Sequence, residues 1–215
     1  MKKTLRQKAY RRIKDKIIYF ELKPGERILE SRISRDLKLG RMPVREALVM
    51  LENERLISKA DGYGYMVKKI NDSEIEDYFK IRSSLESIGA EMLMQRATKA
   101  DILRMKKHIE KAIEIYKGDN IRKIIQSDTK FHDMMYRSTK SEVFYETIAS
   151  LADKTIIMRA AAMQTKNGRD SSIKDHVAIM AAIEKKDLKK LQNLIHEHLK
   201  YAPTHYESIL PFISI

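Results

Sequence analysis

Apolar residues recur every three to four positions through Leu5, Ala9, Ile13, Ile17 and Phe20, a stripe that predicts an amphipathic helix ending before Pro24-Gly25. Its other face is lysine and arginine. A second, short helix is predicted from about Glu30 to Lys38 with Ile33 and Leu37 inward. A third opens near Met42-Pro43 and turns Val44, Ala47, Leu48 and Leu51 inward, with Pro43 in the first turn, where its missing N–H breaks no bond. The runs Leu56 to Ala60 and Tyr65 to Ile70 read as strands. Between them Asp61-Gly62-Tyr63-Gly64 can supply the positive φ angles of a hairpin turn. Three helices and a hairpin in 70 residues predict a winged helix-turn-helix.

After Val67 the pattern becomes helical throughout. Asn71 with Glu74 and Thr139 with Glu142 have the spacing of capping boxes, and Thr98 with Asp101 is a weaker version. Together with stops at Gly118 and Asn167-Gly168, these starts predict six helices, at about 72–96, 99–117, 121–138, 140–165, 170–185 and 187–206. The expected fold class is therefore mainly α. A winged helix-turn-helix spans residues 1–70, and an antiparallel bundle of six helices spans 71–215.

Charge separates the two parts. The 215 residues carry 43 Lys and Arg against 30 Asp and Glu, a net +13, and the first 70 hold 19 and 9 of these, a net +10. An anionic partner is thus expected on the N-terminal domain, and the rest is nearly neutral. The absence of cysteine excludes a disulfide framework, a zinc ribbon and thiolate catalysis, and it fits a reducing cytoplasm. No apolar run approaches the roughly 20 residues that span a bilayer. The opening MKKTLRQKAYRRIKDK lacks the apolar core of a signal peptide. A cytoplasmic protein without membrane contact is expected.

In the third helix Arg41 and Arg45 lie four residues apart, on one face, opposite Val44, Ala47 and Leu48. A recognition helix presents its N-terminal residues to base edges, and arginine reads guanine bidentately. The run Leu37-Lys38-Leu39-Gly40-Arg41-Met42-Pro43-Val44-Arg45-Glu46-Ala47-Leu48 resembles the DNA-binding domain of GntR-family transcriptional regulators. So do the upstream Leu22-Lys23-Pro24-Gly25-Glu26-Arg27-Ile28 and the wing Gly62-Tyr63-Gly64-Tyr65-Met66-Val67. The resemblance implies base readout by Arg41 and Arg45, a backbone contact from Arg32, and a wing that Gly62 or Gly64 lets approach the minor groove. Two positions depart from the family pattern: Lys38 replaces the glycine between helices, and Gly40 replaces the hydroxyl residue that caps the recognition helix and touches phosphate.

Polar residues also fall on the apolar stripes of the bundle. Ile121, Ile125, Asp128, His132 and Met135 follow a three-to-four spacing, and His176 lies on the line of Ile173 and Met180. At 100° per residue His198 falls about 20° from Leu191, whereas His196 falls about 140° away and should face solvent. Burying such groups without partners is costly, so a shared role is expected for Asp128, His132, His176 and His198. One carboxylate and three imidazoles suit a divalent ion with open positions, zinc foremost, with Ni, Mn or Fe(II) compatible.

The segments Asp128-Thr129-Lys130-Phe131-His132, Asp175-His176-Val177-Ala178-Ile179 and Asp187-Leu188 leading to His198-Leu199 resemble the metal-bearing segments of the FCD effector domain in the FadR-like branch of the family. Six helices rather than seven resembles its VanR-like subgroup. Arg82 with Glu86 also matches that branch, where the arginine faces a ligand pocket; an ion pair with Glu86 fits Arg82 equally well. Arg159, in the apolar setting of Ile156, Ile157, Ala160 and Ala161, is a second candidate for an effector carboxylate, with surface or dimer roles as alternatives. Met92, Met94, Met158 and Met163 read as core.

The expected protein is a homodimeric transcriptional regulator and repressor. It binds double-stranded operator DNA, and a small organic acid at one divalent metal ion per chain modulates that binding. Two other functions fit the same residues: a metal-dependent enzyme using the His/Asp set, and a regulator that senses the metal itself. An enzyme would leave the basic domain without a role.

Overall fold

The computed structural model describes residues 4–69 and 71–213, with the side chains of Asp72 and of residues beyond Lys200 left aside. The chain separates into two compact units that meet in sequence at Asn71 and Asp72.

In the first unit α1 (Leu5–Ile18), α2 (Glu30–Leu37) and α3 (Arg41–Asn53) surround a small core, and β1 (Arg27–Ile28), β2 (Ile57–Lys59) and β3 (Tyr65–Val67) form the wing. Thr4 opens α1 with a complete capping box. The helix ends two residues short of its predicted stripe, because Phe20 turns left-handed at φ 58 and tucks into the core. At the other end, Leu5 lies on the stripe but is exposed. Ala9, Ile13, Val44, Ala47, Leu48 and Leu51 are wholly buried, so α1 and α3 form the centre of this unit.

Two details explain how unusual residues sit in the turns. Lys38 takes the glycine position between α2 and α3 in the left-handed region, at φ 52, and Gly40 caps α3 with no side-chain bond. The wing has three strands rather than two. All pairings are antiparallel in the order β1-β3-β2, with Arg27 opposite Met66 and Ser58 opposite Met66 from the other side. A two-residue strand is too short to register as a periodicity. Gly64, at φ 87, allows this third strand: a Cβ there would meet the Ile28 carbonyl oxygen at 2.6 Å.

The second unit contains α4 (Asp72–Arg96), α5 (Lys99–Tyr116), α6 (Ile121–Ser138), α7 (Glu142–Ala149), α8 (Ala152–Ala162), α9 (Lys166–Glu184) and α10 (Leu188–Ile213) as far as Ile209. Leu93, Met105, Phe131, Met135, Ile179, Ile183 and Leu191 pack at its core. Met158 and Met163 are buried, and Met92 and Met94 are half-buried. No described helix is long and apolar enough to cross a membrane.

Three boundaries differ from those expected. The span 140–165 is two helices, because the Ser150 hydroxyl donates to the Thr147 carbonyl at 2.7 Å and competes with the helical ladder. Counted this way, seven helices follow Asn71 among the described residues, so a count of six no longer marks the VanR-like subgroup. Thr139 does not start a helix. It is the buried C-cap of α6, donating to the Tyr136 carbonyl, and Ser141 caps α7 instead. Asn167-Gly168 is not a stop either: α9 starts at Lys166 under a Thr165 cap, and a Cβ on Gly168 would lie 2.0 Å from the Ala162 carbonyl oxygen. Glycine is there to let α9 start against the end of α8.

The Thr98-Asp101 pair forms a full capping box. Asp101 is buried, and its carboxylate accepts from the Thr98 hydroxyl at 2.7 Å, from Lys140 Nζ at 2.8 Å, and from Arg104. Burial alone would raise this carboxyl, but the Lys140 and Thr98 hydrogen bonds outweigh it and hold the group well below the usual carboxylate range. Asp101→Ala should therefore cost about 1–2 kcal/mol near neutral pH. A depressed folded-state pKa contributes stability above the unfolded value of about 3.9 and loses it as pH falls below that value. Thermal melts of the variant and parent should accordingly converge at strongly acidic pH; a constant gap would refute the ionic part of the cap.

Candidate metal and effector centre and nucleic-acid interface

The centre forms inside the second unit, where α6, α9 and α10 supply its candidate ligands. One turn of α6 separates Asp128 from His132, and both are 1% exposed. His176 on α9 is equally buried, and α10 brings His198 to the same point, 11% exposed. His132 Nε2 lies 3.2 Å from His176 Nε2 and 3.3 Å from His198 Nε2. One imidazole nitrogen either donates or accepts, so three rings converging through Nε2 cannot satisfy one another by hydrogen bonds alone. Their spacing is that of neighbouring ligands on one ion with metal–nitrogen bonds of about 2.0–2.1 Å. The candidate ligand atoms of the three histidines all lie within 4.8 Å of one another.

Asp128 faces the same point. Its Oδ1 accepts from Tyr116 at 3.2 Å and Ser172 at 3.1 Å and lies 3.6 Å from His176 Nε2, while Oδ2 is buried without a hydrogen bond. Burial would raise this carboxyl, but the groups facing it, the permanently charged Arg159 among them, hold it below its ordinary value. Burial pushes His132 well down and His176 down to about 3, so both are neutral, as ligand imidazoles must be. His198 bonds through Nδ1 to Asp175 Oδ2 at 3.2 Å, which leaves Nε2 free to act as a donor atom. The donor set thus fits a divalent ion. His196, by contrast, is exposed and bonds Ser83 Oγ at 2.9 Å.

Both predicted arginines line the same cavity, of about 30 Å³, with Asp128, Asp175 and His198. Arg82 donates from Nε to Glu86 at 2.7 Å, and its Nη2 is buried without a partner. Arg159 donates to the Tyr136 hydroxyl at 3.1 Å, and its Nε, 3.6 Å from Asp128 Oδ2, makes no hydrogen bond. Tyr136 in turn donates to Glu86 at 2.6 Å. Burial would raise Glu86, but the Arg82 and Arg159 charges keep it ionised. On the far side of Arg159 and Tyr136 lies a second, more apolar cavity of about 120 Å³ between α6, α7 and α8.

Glu86, Tyr136, Ser172 and Tyr116 complete the centre but were not predicted as parts of it. Tyr136 continues the Asp128-His132 stripe by another four residues, and Ser172 lies four before His176. That spacing reaches Tyr136 and Ser172, on the helices of His132 and His176, but not Glu86 or Tyr116, which come from α4 and α5.

The winged unit has a groove of about 480 Å³ between α2, α3 and the wing, lined among others by Glu30, Arg41, Arg45, Lys59, Tyr63 and Gly64. Arg41 and Arg45 are both exposed on one face of α3. Arg32 is also exposed and lies 3.7 Å from Glu26. Gly62 and Gly64 hold positive φ angles of 85 and 87 at the wing tip. Arg27 pins that tip, donating from Nε to the Tyr63 carbonyl at 2.9 Å.

Comparison with known proteins covers both units. Residues 5–67 match the bacterial regulatory proteins of the gntR family, and residues 77–201 match the FCD domain. The uncharacterized HTH-type regulator YdhC of Bacillus subtilis is 22% identical over 202 residues, covering 94% of this chain and 90% of that protein. The HTH-type transcriptional repressor RspR of Escherichia coli is 21% identical over 194 residues, covering 90% and 85%. Among solved structures, E. coli McbR/YncC superposes with a TM-score of 0.79 at 19% identity over 96% of this chain and 99% of that one. A regulator described as a putative GntR protein from Rhodococcus sp. RHA1 gives 0.76 at 20% identity over 94% and 97%.

Proposed function

The chain belongs to the GntR family of bacterial transcriptional regulators that carry an FCD domain, and we propose that it is a metal-dependent, carboxylate-responsive repressor acting as a homodimer. It is not read as an enzyme, because its relatives and structural neighbours are regulators. Two copies suit a helix-turn-helix protein, whose two recognition helices read half-sites one helical turn apart. Arg41 and Arg45 supply base readout, Arg32 a backbone contact, and the Gly62–Gly64 turn the wing's approach to the minor groove. RspR, named as a repressor, favours the same direction of regulation here.

One observation carries the effector reading: two buried guanidinium groups with unused N–H donors share a cavity with Asp128 and His198, two of the four candidate metal ligands. The charges support an anion. Arg82 and Arg159 balance Asp128 and Glu86, and Asp175 adds one negative charge at the rim. A dication held by Asp128, His132, His176 and His198 would leave the centre with one net positive charge, which a monocarboxylate neutralises. The ion, when bound, supplies a Lewis-acid coordination position. The chain's own arginines orient the carboxylate. About 30 Å³ holds roughly two waters, so the effector's head group is compact.

A thermal-shift screen of small carboxylates on zinc-loaded protein tests the reading, since a ligand that binds only the folded state raises the melting temperature with concentration. No shift with any carboxylate, together with metal-driven changes in operator binding without one, would favour direct metal sensing. On the DNA side, Arg41→Ala or Arg45→Ala should cost about 1–3 kcal/mol on the specific site and relax base preference at one position each. Full affinity and selectivity in both variants would mean that α3 is not the reading helix.

A further inference from the structure

Glu30 is the first residue of α2 and faces α3 across the groove. Its carboxylate accepts from Arg45 Nε at 3.1 Å through both oxygens and from Arg45 Nη2 at 3.0 Å. The Glu30 side chain is 19% exposed, whereas that of Arg45 is 59% exposed, so a mostly covered acid holds an exposed base. The free N–H groups and dipole at the start of α2 favour a carboxylate at this place.

A guanidinium has two edges able to make paired hydrogen bonds: the side edge, Nε with one Nη, and the end edge, both Nη atoms. In Arg45 the side edge is taken. The end edge, with one hydrogen from each Nη, remains open toward the groove.

We propose that Glu30 is a specificity-determining positioning residue, which occupies the side edge of Arg45 so that the arginine meets a guanine with its end edge alone. This rests on α3 being the recognition helix. A long exposed arginine left free can satisfy many acceptors, phosphates included, by rotating about its χ angles. Held by Glu30, it enters the complex already ordered and in one orientation, which makes the wrong base costly. The acid next to DNA weakens attraction to the backbone in general, so base discrimination is obtained at the expense of non-specific affinity.

The test selects preferred sites from a randomised duplex pool with the full-length protein and measures base preference and affinity for the parent, Glu30→Gln, Arg45→Ala and the double variant. Thermal melts establish that each variant is folded. A good bidentate contact discriminates by about 1–3 kcal/mol, roughly 5- to 150-fold. Glu30→Gln should lower the guanine preference about tenfold at the base pair that Arg45→Ala affects. It should leave other positions unchanged, hold or raise non-specific affinity, and add nothing in the Arg45→Ala background. Tighter operator binding by Glu30→Gln with undiminished preference would overturn the proposal, because Glu30 would then be a lock that competes with DNA. Loss of preference at a different base pair would overturn it too, making Glu30 a reader in its own right. If Arg45→Ala itself leaves every preference unchanged, the recognition helix is wrongly assigned and the Glu30 proposal falls with it; if Arg45→Ala relaxes one position and Glu30→Gln does not, only the Glu30 proposal falls.

Discussion

Replacing His132, His176 or His198 by alanine is expected to strip the purified chain of most of its divalent metal, while His196→Ala keeps about one ion per chain. His132 Nε2 meets the Nε2 atoms of His176 and His198 at 3.2 and 3.3 Å, and no hydrogen-bond arrangement satisfies all three, whereas His196 bonds Ser83 and stays exposed. Losing a ligand should weaken binding by more than the roughly 10- to 100-fold that outer-shell changes cost. Asp175→Asn, which alters only the partner of His198 Nδ1, should fall within that smaller range. Because His132 and His176 are 1% exposed, truncating them also leaves a void. Melting in chelator separates the two effects: a void lowers the melting temperature with or without metal, whereas a lost ligand abolishes only the rise on adding zinc. At a hundredfold excess over Kd that rise corresponds to about 2.7 kcal/mol. Elemental analysis of the four alanine variants decides the assignment, and equal loss from His196→Ala would refute it.

Much of this centre can be read from helical spacing. Asp128 and His132 stand one turn apart on a stripe otherwise made of isoleucine and methionine, and a charged group on such a stripe calls for partners. What spacing cannot give is which helices meet. Glu86 reads from the sequence as the i+4 partner of Arg82, and it is that, at 2.7 Å. Only the packing of α4 against α6 adds the Tyr136 hydroxyl and places Glu86 3.9 Å from His132 Nδ1. Tyr136 itself counts as apolar in a periodicity, so its hydroxyl does not announce a polar network.

The boundaries that sequence alone misplaces have local causes. Gly168 is read as a stop because glycine usually ends helices; here it allows α9 to start against the Ala162 carbonyl oxygen, which a Cβ would approach to 2.0 Å. Ser150 interrupts the span 140–165 through a hydroxyl bond to the Thr147 carbonyl, a choice that neither glycine nor proline signals. In the winged unit the helices are legible because each buries a regular face. β1 is not, because two residues carry no period and their pairing with β3 depends on Gly64, far along the chain.

The effector reading leads to the other large effect, a loss of effector affinity that follows both the metal and the arginines. Arg159→Ala should weaken effector binding by about 1.5–3 kcal/mol, roughly 10- to 150-fold, the usual size of a charge-assisted hydrogen bond. Arg82 requires a different variant. Its Nε bonds Glu86, 2% exposed, and Arg82→Ala would strand that carboxylate at a cost of about 3–5 kcal/mol in stability. Arg82→Lys keeps the charge and loses the planar fork, so the chain should stay folded while effector affinity falls. Removing the metal should weaken the effector further still, since it takes away both a coordination position and two positive charges. Linkage then constrains the operator. An effector that lowers operator affinity by some factor must itself bind the operator complex more weakly by the same factor. Calorimetry of the effector against zinc-loaded, metal-free and operator-bound protein measures each link separately. A carboxylate that binds equally well with and without metal would remove the metal from the effector site, and one that binds free and operator-bound protein equally would have no means of regulating DNA binding.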